Sequence, residues 1–84
     1  MHEVYIGQSA ERDLKALSEE NFLRIVPHLK ALRSNPRPKG SKKLSGSKND
    51  WRIRIGSFRV LYEVDDKEKV VRIMRVRHRR EAYR

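Results

Sequence analysis

The chain has 84 residues, 37% of them hydrophobic, and carries 21 Lys and Arg against 11 Asp and Glu for a formal net charge of +10. One small domain spanning residues 1–84 is expected, and burying about 60% of its unfolded surface takes nearly all of the apolar side chains, which leaves little for a large ligand pocket. With no cysteine, neither a disulfide framework nor a thiolate zinc site is available, and a reducing compartment is indicated. No apolar run approaches the roughly 20 residues of a membrane span, and Met1 to Gly7 lacks the basic start and apolar stretch of a signal peptide. The expected location is the cytoplasm, with no membrane partner.

The charge is unevenly placed. Residues 1–36 carry five basic and five acidic side chains, whereas residues 37–84 carry 16 basic and 6 acidic ones. Such a field favours a polyanion, because neutralising phosphates releases condensed counterions. A basic surface kept for solubility is the alternative, and the asymmetry exceeds what solubility requires.

In chain order, His2 to Gly7 reads as a short strand with Val4 and Ile6 on one face and Gly7 ending it. Ser9 stands where a helix N-cap is expected, with Glu11 and Asp13 in the first turn and Leu14 and Leu17 on the apolar side. Ser18 caps a second helix on whose face Phe22, Ile25, Val26, Leu29 and Leu32 recur. Pro27 inside it removes a hydrogen bond and predicts a kink rather than two helices. Asn35-Pro36 is expected to end the helix, since a residue before proline is pushed out of the α region.

Arg37 to Asp50 holds Gly, Ser, Pro and five basic residues around Leu44, and reads as a mobile loop flanking the site. Its spacing fits no Walker motif and no dinucleotide fingerprint. From Trp51 the pattern changes to period two, and Gly56-Ser57 makes a two-residue hairpin turn. The predicted register opposes Ile55 to Phe58, Arg54 to Arg59, Ile53 to Val60, Arg52 to Leu61 and Trp51 to Tyr62. One face is then apolar, a core face rather than a base-stacking platform. On the other, Arg54 and Arg59 are direct neighbours with Cβ atoms roughly 5 Å apart, and Arg52 lies beside them. An anion between them relieves the repulsion, although the three side chains can also splay into water.

Asp65 to Glu68 reads as a turn into the strand Lys69 to Arg77. An even-numbered loop, pairing Tyr62 with Val71 and Val60 with Ile73, keeps the core face continuous. It places Arg72, Met74 and Val76 on the face of Arg52, Arg54 and Arg59, toward which the tail His78 to Arg84 can bend.

His2, His28 and His78 stand apart and no carboxylate cluster lies near a strand end, so no metal or cofactor is expected. A serine nucleophile lacks a recognisable base. What remains is a phosphate grip of Arg52, Arg54, Arg59, Arg79 and Arg80 with His78 and Tyr83. It suits RNA cleavage in which the substrate's own 2′-hydroxyl is the nucleophile and the protein supplies cations and proton transfer.

The run KLSGSKNDWRIRIGSFRVLYEVDDKEKVVRIMRVRHRREAY, preceded by a strand and two helices, resembles the RelE/ParE superfamily of bacterial and archaeal toxins, on its RelE side. The resemblance covers essentially the whole chain and rests on the order and spacing of its motifs together. It implies an α+β fold, with an N-terminal strand and two helices packed on one face of a small, mainly antiparallel sheet. It also implies the toxin of a type II toxin-antitoxin system, which enters the ribosomal 30S A site and cuts mRNA to leave a 2′,3′-cyclic phosphate. The implied partners are a cognate acidic RelB-like antitoxin, the ribosome with its mRNA, and operator DNA only through the antitoxin complex.

By that resemblance Arg52 and Arg54 correspond to the basic pair of the first hairpin strand and Arg59 to the arginine gripping the scissile phosphate. Arg79, or else Arg80, corresponds to the residue that protonates the leaving 5′-oxygen, and Tyr83 to the tyrosine that stacks on or orients the nucleotide. The basic pair is often lysine in the family, and because guanidinium is hard to deprotonate, charge stabilisation replaces a lysine-type base. His78 is either a proton acceptor or a plain polar neighbour. Lys42, Lys43, Lys48, Arg72, Arg77 and Arg80 are expected to hold RNA. The alternatives are a ParE-like inhibitor of DNA gyrase and a non-catalytic RNA-binding module.

Overall fold

The fold is that of a computed structural model, in which residues 1–82 are described. Its elements in chain order are β1 (Glu3–Ile6), α1 (Gln8–Lys15), α2 (Glu19–Ala31), β2 (Lys42–Lys43), β3 (Asp50–Ile55), β4 (Phe58–Asp65), β5 (Val70–His78) and α3 (Arg79–Ala82). The five strands form one sheet in the order β1-β5-β4-β3-β2. Only β1 with β5 is parallel, and the remaining pairs are antiparallel. The expected α+β architecture is therefore present. Ala10, Ile25, Leu29 and Leu32 of the helical layer bury against Ile53, Ile55, Phe58, Val60, Tyr62, Val64, Val71, Ile73 and Val76 of the sheet. Among the described residues no helix is long and apolar enough to cross a membrane.

The β3-β4 hairpin has the predicted register at all five positions, from Trp51 opposite Tyr62 to Ile55 opposite Phe58. Gly56 takes φ 58° in its turn, the positive φ that a two-residue hairpin loop asks of its first residue and that glycine adopts without a Cβ penalty.

The β4-β5 pairing departs from expectation. The connection holds an even number of residues, but Tyr62 faces Ile73 and Val64 faces Val71, two residues from the predicted register. An irregularity at Leu61/Tyr62 then changes the parity, so that Leu61 faces Arg75, Val60 faces Val76 and Arg59 faces Arg77. A bulge inserts one residue on one strand and turns over every side chain beyond it. Val76 consequently enters the core at 3% exposure, while Arg75 and Arg77 join the basic face in its place.

Three smaller expectations are also corrected. Gly7, not Ser9, is the N-cap of α1, and a Cβ on Gly7 would stand 2.8 Å from the Ile73 carbonyl oxygen. That oxygen accepts the Gly7 N–H at 2.8 Å, so β5 and the start of α1 approach closely. Helix α2 has the expected Ser18 cap, whose side chain accepts from the Asn21 N–H, and runs through Pro27, but it ends at Ala31. Residues 32–34 continue in tighter turns, with Arg33 and Ser34 donating to the carbonyls of Lys30 and Ala31. Residues 37–50 are not wholly loop, since Lys42 and Lys43 pair with Arg52 and Trp51 as an edge strand.

That basic segment is also anchored at its start. The Arg37 guanidinium donates to both carboxylate oxygens of Asp66 at 3.3 and 2.7 Å and lies over the Trp51 ring, 5.1 Å from its centroid. The Tyr62 hydroxyl donates to the Pro36 carbonyl at 2.8 Å. Hydrogen bonds from Arg37 and His2 hold the Asp66 carboxyl below its ordinary value.

Candidate functional site: an arginine-lined cleft at the hairpin turn

Strand pairing carries the basic face across the sheet in two rows. Arg59 on β4 stands between Arg54 on β3 and Arg77 on β5 and is the direct cross-strand neighbour of each, and below them run Lys42, Arg52, Leu61 and Arg75. Cross-strand neighbours of this kind stand roughly 5 Å apart at Cβ. The strands thus hold three guanidinium groups at one height beside the hairpin turn.

The tail closes this corner. The Arg79 N–H donates to the Ser57 carbonyl at 2.7 Å, which ties the start of α3 to the turn. Arg54, Gly56, Ser57, Phe58, Arg59 and Arg79 line the resulting cleft of about 230 Å³. It is a small, cationic, polar cleft at the hairpin turn, of a size that suits one phosphate and part of a nucleotide. A larger concavity of about 650 Å³ lies between β1 and α2, lined by side chains such as Val4, Ile6, Phe22, Val26 and Leu29. Its apolar walls offer surface for packing but few groups for chemistry, so the arginine cleft is the candidate site.

His78 pairs with Phe58 and so shares the core-side face of the sheet, opposite Arg54, Arg59 and Arg77; it is not among the cleft lining, and two contacts hold it. Its ring meets Phe58 edge-on, with centroids 5.3 Å apart and planes at 86°, and its Nδ1 accepts the Arg80 backbone N–H at 3.2 Å. With Nδ1 occupied as an acceptor, the neutral ring carries its proton on Nε2. This geometry suits a hydrogen-bond donor better than the proton acceptor considered from sequence.

The other sequence-derived residues divide. Arg52 shares the face of Arg54, opposite Leu61 and Lys42, but is not among the cleft lining. Lys43 pairs with Trp51 and so belongs to the opposite face from Lys42. Lys48 is exposed in the loop before β3, and Arg80 is exposed on α3. Arg72 is ion-paired to Glu63 at 2.7 Å and lies five residues along β5 from Arg77, about 16 Å at the rise of a strand. Tyr83 lies outside the described residues.

Two groups escaped the sequence reading. Arg75 donates from Nε to Asp13 of α1 at 2.9 Å and from its second nitrogen at 3.2 Å, and Asp13 also accepts the Val76 N–H at 2.9 Å. β1 pairs with β5 only as far as Ile73, so Asp13 caps an edge that no strand covers. Burial alone raises the Asp13 pKa, but hydrogen bonds from Arg75 and Val76, with the charges of Arg75 and Arg77, outweigh it and hold the carboxyl below its ordinary value. The second group is Arg24 of α2, whose guanidinium lies over Gly56. Neither contact has a local signature, because each joins residues more than 30 positions apart. Among the described residues no three His, Asp or Glu side chains converge as a metal site would require.

The chain matches the model of the ParE toxin of type II toxin-antitoxin systems over residues 4–83. It is 34% identical over 84 residues to a Methanocaldococcus jannaschii protein provisionally named toxin RelE1, covering 96% of this chain and 93% of the relative. Among solved structures, the RelE–RelB complex of Pyrococcus horikoshii aligns with a TM-score of 0.82 at 28% identity, over 93% of this chain and 94% of that one. The toxin-antitoxin complex RelBE2 of Mycobacterium tuberculosis aligns at 0.81 and 29% identity, over 93% and 98%. The isolated Escherichia coli RelE toxin, at 20% identity, shares the fold with a TM-score of 0.81, over 93% and 84%. The chain belongs to the RelE/ParE superfamily of toxins of type II toxin-antitoxin systems, and is RelE-like within it.

Proposed function

We propose that this toxin is a ribosome-dependent endoribonuclease that cuts mRNA in the 30S A site. The observation that carries this reading is the convergence of Arg54, Arg59 and Arg79 on one small cleft at the hairpin turn. In the reaction the substrate's 2′-hydroxyl gives up its proton to solvent as its oxygen bonds to the adjacent phosphorus, the bond from phosphorus to the 5′-oxygen breaks, and the departing 5′-oxygen takes a proton from solvent. A 2′,3′-cyclic phosphate and a 5′-hydroxyl result. Charge builds on the non-bridging phosphate oxygens as this proceeds, and preorganised cations in a partly enclosed cleft stabilise it.

Arg54 and Arg59 take that role, and Arg79 stabilises the leaving 5′-oxygen. Because guanidinium stays protonated, the arginines act through charge and hydrogen bonds rather than as bases. Arg52, Arg77, Lys42 and Lys48 hold RNA around the cleft. Tyr83 orients the nucleotide. None of these steps calls for a metal ion or cofactor.

An acidic antitoxin resembling RelB is the proposed partner, working in the cytoplasm with operator DNA reached through the complex. The solved complexes of relatives with RelB support it, as does a net charge of +10. The apolar groove beside the free edge of β1, where Tyr5 and Phe22 stay 52% and 40% exposed, suits the apolar side chains of such a chain.

The match to the ParE model favours a second reading, a DNA gyrase inhibitor that cleaves nothing. The two are separated by incubating purified protein with ribosomes holding a defined mRNA and analysing the RNA ends. The nuclease reading expects cuts bearing cyclic phosphate, and a rate lowered about 10²- to 10³-fold by Arg59→Ala. Intact mRNA together with inhibited gyrase supercoiling supports the ParE-like alternative.

A further inference from the structure

We propose that Arg24 of α2 is an additional RNA contact, holding the phosphate next to the one gripped in the cleft, with Glu20 as its built-in competitor. The proposal rests on the nuclease reading and extends its site from the sheet to the helical layer. A Cβ placed on Gly56 would stand 3.5 Å from an Arg24 terminal nitrogen and 3.9 Å from its Cδ. Gly56 is itself part of the cleft lining, with Arg54, Arg59 and Arg79. Arg24 therefore reaches the hairpin turn from the helical side of the sheet, while Arg54 and Arg59 approach it from the other face. The cations form a track around the turn instead of a single point, as a polymer with one charge per nucleotide requires.

The pairing of Arg24 on its own helix is loose. Its terminal nitrogen is 3.7 Å from the Glu20 carboxylate, and the two side chains are 52% and 83% exposed. An exposed i,i+4 pair at that separation is weak and screened by salt. A phosphate offers the planar fork a bidentate, charge-assisted alternative. Glu20 then gives up Arg24 when RNA arrives.

The test is fluorescence anisotropy of a labelled single-stranded RNA, 2′-O-methylated to block cleavage, titrated with the full-length chain over a salt series. Arg24→Ala is expected to weaken binding and to flatten the slope of log K against log salt by about 0.7, the value of one phosphate contact on single-stranded nucleic acid. Arg24→Lys is expected to keep the wild-type slope, and Glu20→Gln to tighten binding. Arg24→Gln serves in place of the alanine variant if that variant fails to fold. A wild-type slope in Arg24→Ala, or unchanged affinity in Glu20→Gln, overturns the proposal. Such a result alongside intact cleavage on programmed ribosomes removes Arg24 alone, whereas absence of cleavage by the wild-type chain removes the nuclease reading.

Discussion

Asp13 holds the end of β5 in place, and with it the strand that delivers Arg77 to the basic face. Its carboxylate, 16% exposed, satisfies the Val76 N–H and two nitrogens of Arg75. Replacing it by Asn keeps the size but removes the charge that both donors need. Asp13→Asn is expected to destabilise the fold by about 1–3 kcal/mol at neutral pH, read from denaturant unfolding. Because the folded pKa is depressed, the contribution is fully present above the unfolded value of about 3.9 and is lost as pH falls through the folded pKa. The gap between wild type and Asp13→Asn should accordingly begin to narrow below about pH 4 and close once pH has fallen through the depressed folded pKa. The opposed Arg54 and Arg59 are legible in sequence, since period-two alternation around a glycine turn dictates them. The Asp13–Arg75 contact is not, since it joins residues 62 positions apart across a parity change.

At the scale of elements, the hairpin β3-β4 and the helix α2 follow from local rules, alternation with a positive-φ glycine in one and a Ser cap with a repeating apolar face in the other. The β4-β5 register does not, because a bulge costs a strand little and leaves no mark in hydrophobic alternation. It exchanges Val76 for Arg75 and Arg77 on the basic face, so the cationic row is wider than alternation implies. The two-residue strand β2 is legible only through its partner β3, and the anchoring of residues 36 and 37 depends on Tyr62 and Asp66 far along the chain. Gly7 reads in sequence as a strand terminator, whereas its position is required by the approach of the Ile73 carbonyl. Gly7→Ala must shift backbone atoms to relieve a 2.8 Å contact, and a loss of about 1–3 kcal/mol is expected from the shift of the thermal or urea midpoint. An unchanged midpoint would show that the junction of β1, α1 and β5 is not tightly packed.

On the scale of the whole molecule, the neutral first 36 residues supply β1 and the two helices, while the basic remainder supplies the antiparallel strands and the cleft. Composition alone points to a polyanion, and topology gives the charge a location. Arg24 is the exception, a cation from the neutral part that the fold carries to the hairpin turn. The proposed activity of the arginine cleft is cutting mRNA during translation. Its most direct test is primer extension on a translated message after induced expression of the chain. Codon-phased cuts that appear only in translated regions, and that fade with Arg59→Ala, are the predicted result. Intact transcripts accompanied by stalled replication would contradict it.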